Sequence, residues 1–473
     1  MAPRTHGGAL ATTSLTPEQQ LRRSVLSTFL FEDQCYEDGK EIAGRIAALV
    51  AAVHPEKVKN LAEEARSQMN LRHAPLWLIA AMAKLPTHRK YVAEALELVI
   101  QRPDELSEFL SLYWKAGKQP LAAQVKKGLA RAFRKFNAYG LAKYNQDNPI
   151  KLKDVMFLTH PKPEGAGRTV AAPAVEKAKY HRGETRRHRL GQGAIWKQLI
   201  SGELEPPDTW EVALSAGGDK KTVFERLIKE EKLGALALLR NLRNMEQVGV
   251  NRALVRDALR SADWTRVLPF RFYTAAKHAQ TYTDVLDELL VKRAGSQKRL
   301  PGISIIVVDV SGSMYGSPVS AKSEVDRAEV ACTLAVIARE QCEDARIYAT
   351  GGDDRLRKHK TQLVPGFHGF ALGKEIHQLE RPLGGGGIFL KQCLDFIWKQ
   401  EQEVLAERII VITDEQDCDT DSWKSPDKAP KIARHEYLIN VASAKNGIGY
   451  GRWTHVDGWS ERVLDYIREV ENL

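Results

Sequence analysis

The chain has 473 residues, 43% of them hydrophobic and 27% charged, which is typical of a soluble globular protein with two or more domains. No apolar run approaches the roughly 20 residues that a membrane-spanning helix needs, and the amino terminus lacks the apolar core of a signal peptide. Before residue 301, Lys and Arg outnumber Asp and Glu by 49 to 33, whereas acidic residues lead by 27 to 21 from there onward. This asymmetry favours a polyanionic partner for the first part; a well-solvated basic surface is the alternative.

The five cysteines are scattered along the chain and form no Cys-x-x-Cys pair. An odd number without that spacing argues against a disulfide framework or a zinc site and favours a reducing, cytoplasmic compartment. Cys332, Cys342 and Cys393 lie in helix-like apolar patterns and are expected to pack in a core. Cys418 lies among carboxylates, which disfavour the thiolate, so it is a poor candidate for a nucleophile.

The first part of the chain has a helical pattern. Residues 1–16 are expected to form a flexible tail, and the Thr-Pro-Glu-Gln run that follows indicates a helix start, with Thr16 as the cap and Pro17 in the first turn. Over residues 17–292, apolar residues recur three and four positions apart almost throughout. Many medium-length amphipathic helices joined by short turns predict a HEAT-type helical-repeat domain rather than one bundle.

A basic segment interrupts this pattern at residues 161–194, which are rich in Pro, Gly, Lys, Arg and His. Phosphates bind Lys and Arg, histidines add donors, and a tyrosine can stack on an unpaired base, so the segment is a candidate RNA-binding loop. A solvated basic loop is the alternative. Over residues 163–197, the candidates are Lys177, Lys179, Tyr180, His181, Arg182, Arg186, Arg187, His188, Arg189 and Lys197.

Further basic candidates precede that loop, some among aromatic residues at helical spacing. The aromatic side chains of Phe133 and Phe136 are expected to pack in the core rather than to stack on bases. The basic candidates are Arg131, Arg134, Lys135, Lys143, Lys153, His160 and Lys162.

The pattern changes after a linker at residues 293–302. From residue 303 to 473, apolar strands such as ISIIVVDV, ARIYAT, RIIVIT and EYLINVA alternate with helices such as EVDRAEVACTLAVIARE and FLKQCLDFIWKQEQEVLAE. Such alternation predicts a doubly wound α/β domain with a mainly parallel sheet, whose ligands bind at the carboxyl ends of the strands.

Oxygen-bearing side chains follow two of these strands. Asp309 ends the first strand, Ser311 and Ser313 follow in the loop, and Asp414 ends RIIVIT. Carboxylates and hydroxyls are hard ligands suited to Mg²⁺ or a similar ion, with waters completing an octahedron. Simple capping of the loop and helix is the alternative. A serine nucleophile is not indicated, because the Gly-x-Ser-x-Gly elbow is absent and no histidine is placed as its base.

The stretches VDVSGSM and VITDEQD resemble the metal-ion-dependent adhesion site (MIDAS) of von Willebrand factor A domains. The resemblance implies that Asp309, Ser311, Ser313 and Asp414 hold a divalent cation. That pattern also has a threonine in a Gly-rich loop, and residues 384–388 here offer no hydroxyl. We therefore expect a solvent-facing site that binds its ion weakly, recruits a protein partner and takes no part in cutting RNA.

Three further stretches carry a wider resemblance. GALALLRNLRNM (residues 234–245), LKDVMFLTHPKP (residues 152–163) and VDGWSERVLDYI (residues 456–467) resemble the TROVE family of the Ro autoantigen and its bacterial relatives. The family implies a multidomain α plus α/β fold, in which a ring of HEAT-like repeats is closed by a von Willebrand factor A domain. Arg240 and Arg243 would then either face the ring's interior or bond to carbonyls or carboxylates.

The same resemblance implies a function without enzymatic activity. The family binds small non-coding Y RNAs on the ring's outer surface and single-stranded 3′ ends of misfolded RNAs in its hole. It is associated with RNA quality control, and bacterial members with exoribonucleases. We therefore expect a monomeric RNA-binding protein with no membrane partner. The alternative is a metal-dependent adhesion or adaptor scaffold without RNA; a hydrolase using Asp309 and Ser311 lacks a positioned base.

Overall fold

The computed structural model describes most of the chain and divides it into two compact units, Val50–Asp208 and Met1–Leu49 with Thr209–Leu473. Helix α2 (Gly39–Ala52) spans the division, and α1 (Pro17–Leu26) belongs to the second unit. The described residues are 4–5, 7–8, 15–26, 39–69, 71–145, 148–163, 191–265, 267, 269–316, 318–319, 325–420, 425–442, 447–449, 451–458 and 463–471.

The described part of the unit Val50–Asp208 is helical. Its helices α5 (Arg89–Val99) and α7 (Ala123–Phe133) pack tightly at Gly128. An added Cβ there would lie 2.9 Å from the Ala93 backbone, so only glycine permits this approach. Apolar residues three and four apart, such as Val58, Leu61 and Ala62, form the buried faces. The helices are α3 (Pro55–Ser67), α4 (His73–Lys84), α5 (Arg89–Val99), α6 (Pro103–Tyr113), α7 (Ala123–Phe133), α8 (Ala138–Tyr144), α9 (Leu152–Thr159) and α10 (Gln192–Ser201).

The other unit continues with helices whose starts are fixed by polar caps. The side chains of Thr209, Asp219 and Asn251 each accept a backbone N–H from the first turn that follows, which satisfies donors that a helix start leaves unpaired. These helices are α11 (Trp210–Ser215), α12 (Lys220–Lys229), α13 (Ala235–Gln247), α14 (Arg252–Ser261), α15 (Phe270–His278) and α16 (Thr283–Ala294).

A six-stranded sheet completes this unit, in the order β3-β2-β1-β4-β5-β6, with every neighbouring pair parallel except β2 and β3. The strands are β1 (Leu300–Asp309), β2 (Cys342–Asp353), β3 (Lys358–Leu363), β4 (Ala406–Thr413), β5 (Ala433–Asn440) and β6 (Thr454–Asp457). The helices between and after them are α17 (Arg327–Gln341), α18 (Gly369–His377), α19 (Leu390–Gln400) and α20 (Val463–Val470).

Both faces of the sheet are covered, because alternate side chains of β1 enter two different cores. Ile306 and Val308 join one core, whereas Ile305 and Val307 join the other together with residues of α19. The predicted fold class, a helical region followed by a doubly wound α/β sheet, is therefore confirmed. The strand order reverses between β1 and β4, which places the ends of these two strands at the topological switch point.

The division into compact units differs from the predicted boundaries at residues 292 and 303. Leu242 of α13 and Leu290 of α16 belong to the same buried core as Ile306 of the sheet, so residues 209–294 pack with the α/β part. Strand β1 also begins at Leu300, inside the predicted linker.

Several local predictions are confirmed and others need correction. Thr16 and Gln19 form a capping box, in which the Thr16 N–H donates to the Gln19 side-chain oxygen and the Gln19 N–H donates to the Thr16 hydroxyl. The predicted tail is not loose where it is described, because Thr5 is buried and its hydroxyl donates to the Asp417 carbonyl over 2.7 Å. Cys342 begins β2 rather than lying in a helix. No helix in the described ranges is long and apolar enough to cross a bilayer.

Candidate functional site

The carboxyl end of β1 brings Asp309, Ser311 and Ser313 together as the sequence predicted. One carboxylate oxygen of Asp309 accepts the Ser311 N–H over 2.8 Å, and the other accepts the Thr413 hydroxyl over 2.6 Å. The hydroxyl oxygens of Ser311 and Ser313 lie 3.2 Å apart. These bonds fold the loop back over the strand end and tie it to the neighbouring strand β4.

Asp414, the first residue after β4, already has a cationic partner. Its Oδ2 lies 3.3 Å from Nη1 of Arg327, and both side chains are buried, with exposures of 0% and 1%. Its Oδ1 also accepts the Gln416 N–H over 3.2 Å. The guanidinium of Arg327 thus supplies a positive charge next to Asp414 from within the chain.

Sequence reasoning missed Arg327, although one signal was available. Arg327 is the first residue of α17, after the cap Asp326. Positive charge at a helix start is unfavourable with respect to the helix dipole. A cation in that position therefore indicates a specific anionic partner, but only the fold shows that the partner is Asp414, 87 residues away.

The two carboxylates influence each other electrostatically. Burial, followed by the charge of Asp414, raises the pKa of Asp309 to about 7. The hydrogen bonds from Thr413 and Ser311 act in the opposite direction. The negative charge of Asp414 therefore disfavours ionisation of Asp309, and the guanidinium of Arg327 partly offsets that charge.

The Gly-rich loop lies directly on the Asp-x-Ser-x-Ser loop. Gly312 donates its N–H to the Gly386 carbonyl over 3.0 Å, and an added Cβ on Gly312 would lie 2.8 Å from the Gly385 carbonyl oxygen. The contact requires glycine at position 312, and it brings backbone carbonyls of the Gly-rich loop against the Asp-x-Ser-x-Ser loop.

The residues fit a divalent cation in chemical type, because they are two carboxylates and two hydroxyls. They fit less well in accessibility, since Asp309 and Asp414 are fully buried and only Ser313 is partly exposed. The prediction of a solvent-facing site is therefore wrong: β4 and Arg327 cover the carboxylates. Within the described ranges, no group of three or more His, Cys, Asp or Glu side chains is arranged to hold a metal ion.

The acidic run after Asp414 has structural roles. Glu415 is fully buried and pairs with Arg23 of α1 over 2.5 Å, as well as with His455 of β6. Asp417 accepts the Leu390 N–H over 3.2 Å, and burial raises its pKa to about 8. Burial and nearby carboxylates raise the pKa of Cys418 to about 12, in agreement with its prediction as a poor nucleophile.

A second candidate site is a basic groove between α13 and α15. Its volume is about 350 Å³. It brings the predicted candidates Arg240 and Arg243 together with Arg271 and His278, which sequence reasoning did not select; all four are exposed. The complete lining is Leu236, Leu239, Arg240, Leu242, Arg243, Asn244, Arg271, Thr274, Ala275 and His278.

Two predicted RNA-binding residues, Arg131 in α7 and Lys135 shortly after it, contact α5 and support the packing of these helices. Arg131 pairs with Glu97 of α5 over 3.2 Å. The ammonium of Lys135 donates to the carbonyls of Glu97 and Ile100, although the residue as a whole is exposed. Burial of that ammonium lowers the pKa of Lys135. Lys135 thus caps the carboxyl end of α5.

The ends of the predicted basic loop meet between α9 and α10. An added Cβ on Gly193 would lie 3.6 Å from Pro163 Cγ, and the Gln192 side chain donates to the Arg134 carbonyl over 2.8 Å. Residues 164–190 lie outside the described residues, and with them Lys177, Lys179, Tyr180, His181, Arg182, Arg186, Arg187, His188 and Arg189.

The remaining candidates lie on α8, α9 and α10 or directly after α7 and α9. His160, Lys162 and Lys197 are exposed, whereas the others are partly buried. Phe133 is fully buried and packs edge-on against Trp196 at 5.6 Å, so its prediction as a core residue is confirmed. The candidates concerned are Arg134, Lys143, Lys153, His160, Lys162 and Lys197.

Comparisons with known proteins agree with this architecture. Residues 195–362 match the TROVE domain. The chain is 24% identical to telomerase protein component 1 of Mus musculus over 299 residues and to that of Rattus norvegicus over 298. Each alignment covers 49% of this chain and 11% of the relative, so the chain spans about a tenth of their length.

The fold is shared with a solved structure over nearly the whole chain. The Deinococcus radiodurans Ro (RSR) protein matches with a TM-score of 0.58 and 17% identity, covering 94% of this chain and 96% of that one. The TROVE match runs from α10 through the helices that carry the basic groove to β3 of the sheet. Residues 195–362 of the chain therefore match the TROVE domain, and the fold of nearly the whole chain is similar to that of a Ro protein, in agreement with the resemblance that the sequence motifs indicated.

Proposed function

We propose that this protein binds RNA and acts as the non-enzymatic protein component of a small ribonucleoprotein. The observation that carries the proposal is the basic groove between α13 and α15, which lies within the TROVE match. Three exposed arginines converge there, and guanidinium groups bind phosphates with several donors at once. Asn244 and Thr274 add hydrogen-bonding groups, and Leu236 adds an exposed apolar contact.

The finer proposal divides RNA recognition between two sites. The groove would take single-stranded 3′ ends of misfolded RNA, and the basic loop between α9 and α10 would take a structured, Y-type non-coding RNA. The net positive charge before residue 301 supports both. A role in RNA quality control with an exoribonuclease partner, in the cytoplasm, completes this proposal.

The α/β part has a separate role in this proposal, as a von Willebrand factor A-type domain. Asp309, Ser311, Ser313 and Asp414 would bind a divalent cation such as Mg²⁺ only weakly, because Arg327 already neutralises Asp414. A bound ion would supply an open coordination position for a partner's carboxylate. No RNA chemistry is assigned to this site.

The groove is tested by removing its charge and measuring the salt dependence of binding. Arg240→Ala, Arg243→Ala and Arg271→Ala together should weaken binding of a single-stranded oligonucleotide. They should also reduce the log–log salt slope by up to about 0.7 for each phosphate that is no longer neutralised. Fluorescence anisotropy of a labelled oligonucleotide over a range of KCl concentrations measures both.

The matched control removes the same charge from α12 of the same compact unit, with Lys220→Ala, Lys221→Ala and Lys229→Ala, all exposed. This variant should keep the affinity and nearly the whole slope. If both triple variants lose affinity equally, the groove is not the site. If the wild-type chain shows no salt-dependent RNA binding, the adaptor function without RNA is favoured instead.

A further inference from the structure

Two tryptophans of the unit Val50–Asp208 form a surface that neither the sequence motifs nor the TROVE match includes. Trp77 lies on α4, and Trp114 follows the last residue of α6; both are partly exposed. The ammonium groups of Lys84 and Lys115 lie 6.0 and 5.9 Å from the centre of the Trp77 ring. This surface is called the tryptophan surface below.

The ring of Trp114 is held in place beside a groove. Its Nε1 donates to the Gln119 carbonyl over 2.7 Å, which fixes the edge of the indole. The ammonium of Lys118 lies 5.4 Å from the centre of the ring. The adjoining groove has a volume of about 390 Å³, and Lys126 lines it together with Leu121 and Leu158.

Three lysines beside the two tryptophans and the groove have no carboxylate partner in the described part of the chain. Within the described ranges, Lys84, Lys118 and Lys126 form no salt bridge with a carboxylate, in contrast to Lys59, which pairs with Glu94 over 2.7 Å. Arg131, on the same helix as Lys126, likewise pairs with a carboxylate, that of Glu97. Lys118 and Lys126 lie without acidic partners beside the fixed indole ring of Trp114, an arrangement that suits an anionic ligand with flat apolar faces.

Single-stranded RNA has both features. Successive bases stack on aromatic side chains while lysines neutralise the phosphates between them, and this pairing tolerates any sequence because every base has a flat face. A groove of this volume lies at the lower end of small-ligand pockets, so it suits a nucleotide or two rather than a rigid duplex. An acidic peptide would use the lysines but has no group that requires the indole faces.

We propose that the tryptophan surface is a second binding site for single-stranded RNA, with a base stacked on Trp114 and phosphates held by Lys118 and Lys126. The proposal rests on the proposed RNA-binding function, but it concerns helices of the unit Val50–Asp208 instead of the groove between α13 and α15. It assigns RNA contacts to Trp114, Lys118 and Lys126, none of which the sequence analysis selected.

The test uses the full-length chain and a labelled oligouridylate in an anisotropy titration. Trp114→Ala should weaken binding roughly five- to a hundred-fold, the range that loss of one stacked base produces. Trp114→Phe keeps a stacking ring and should lose much less. Lys118→Gln with Lys126→Gln should lower the salt slope by about 0.7 for each phosphate that these lysines neutralise in the wild type.

The control is Lys127→Gln, which removes an exposed charge from α7 next to Lys126 without altering the groove lining. Circular dichroism verifies that each variant is folded. If Trp114→Ala does not fold, the lysine double variant and Trp114→Phe still test the site.

If the wild type binds oligouridylate but the Trp114 and lysine variants bind equally well, this inference is overturned while RNA binding stands. If polyglutamate competes as well as oligouridylate, an acidic protein is the ligand and the inference is also overturned. If the wild type binds no RNA, the proposed function itself fails.

Discussion

Arg327 changes the chemistry expected at the carboxyl edge of the sheet. The adhesion-site pattern supplies two carboxylates and leaves their charge to a divalent ion, whereas here a buried guanidinium lies against Asp414. The nearby hydroxyl of Thr413 and the N–H of Ser311 satisfy Asp309. The charge of Asp414 is thus balanced by Arg327 of the same chain. An added ion must compete with Arg327 for Asp414.

Arg327→Gln should make the stability of the protein depend on magnesium. Removing one partner of a buried ion pair costs about 3–5 kcal/mol because the other charge is left uncompensated. Mg²⁺ in the millimolar range should restore part of that loss in the variant and should change the wild type little. Urea denaturation with and without Mg²⁺ measures the free energies of unfolding.

The control for that prediction is Arg327→Gln combined with Asp414→Asn. The double variant no longer contains the uncompensated carboxylate, so it should be more stable than Arg327→Gln alone and insensitive to Mg²⁺. Equal stability of the wild type and the single variant would show that Arg327 does not neutralise Asp414. A large Mg²⁺ effect on the wild type would show that the ion displaces the guanidinium readily.

Local sequence patterns were sufficient to predict those helix starts and strands that depend only on neighbouring residues. The capping box at Thr16 and the apolar runs of β1, β4 and β5 were recognisable from neighbouring residues alone. Strand β3 was missed because its sequence, KHKTQL, is polar and half-exposed at the edge of the sheet. Its position depends on pairing with β2, which no local pattern shows.

Lys135 shows the same limit for single charged residues. The sequence placed it among RNA-binding candidates because it lies in a basic helix, yet its ammonium is bonded to two carbonyls at the end of α5. Nothing in the residues around position 135 indicates carbonyls that lie 35 and 38 residues away. Long-range contacts of this kind decide whether a lysine faces a ligand or supports the fold.

The prediction at this scale is that Lys135→Ala destabilises the protein without affecting RNA binding. Loss of hydrogen bonds from a charged donor to two carbonyls should cost about 1.5–3 kcal/mol. Since the ammonium is already engaged, the salt slope of RNA binding should stay within error of the wild type. Thermal denaturation gives the first quantity and anisotropy titrations give the second. A reduced slope with unchanged stability would instead return Lys135 to the RNA-binding residues.

At the scale of the whole molecule, the alternation of strands and helices revealed the α/β sheet, and the helical periodicity revealed the preceding helices. The compact division was not predicted, because it depends on Leu242 and Leu290 packing against the sheet core. Sequence patterns show that a helix has an apolar face but not which element covers it. For the same reason, the groove partners Arg271 and His278 were found only after folding placed α15 beside α13.

The last prediction concerns the basic loop, whose ends lie together at Pro163 and Gly193. Replacing Arg182, Arg186, Arg187 and Arg189 with alanine should weaken binding of a structured, hairpin-containing RNA. The salt slope should fall by up to about 0.9 for each duplex phosphate that is no longer neutralised. Binding of a short single strand should change much less, because the proposed single-strand sites lie on other elements. Anisotropy titrations with both RNAs at several KCl concentrations measure these effects.

The comparison variant for the loop is Asp309→Asn with Asp414→Asn, which alters the α/β edge and leaves every arginine in place. If the two functions are separate, this variant keeps its affinity for the hairpin RNA, whereas the loop variant loses it. Unchanged affinity and slope in the loop variant would remove the loop from the RNA interface. Loss of RNA affinity in a correctly folded double-asparagine variant would show that the sheet edge takes part in RNA binding. The two variants together therefore distinguish arginines that bind RNA phosphates from aspartates that stabilise the edge of the sheet.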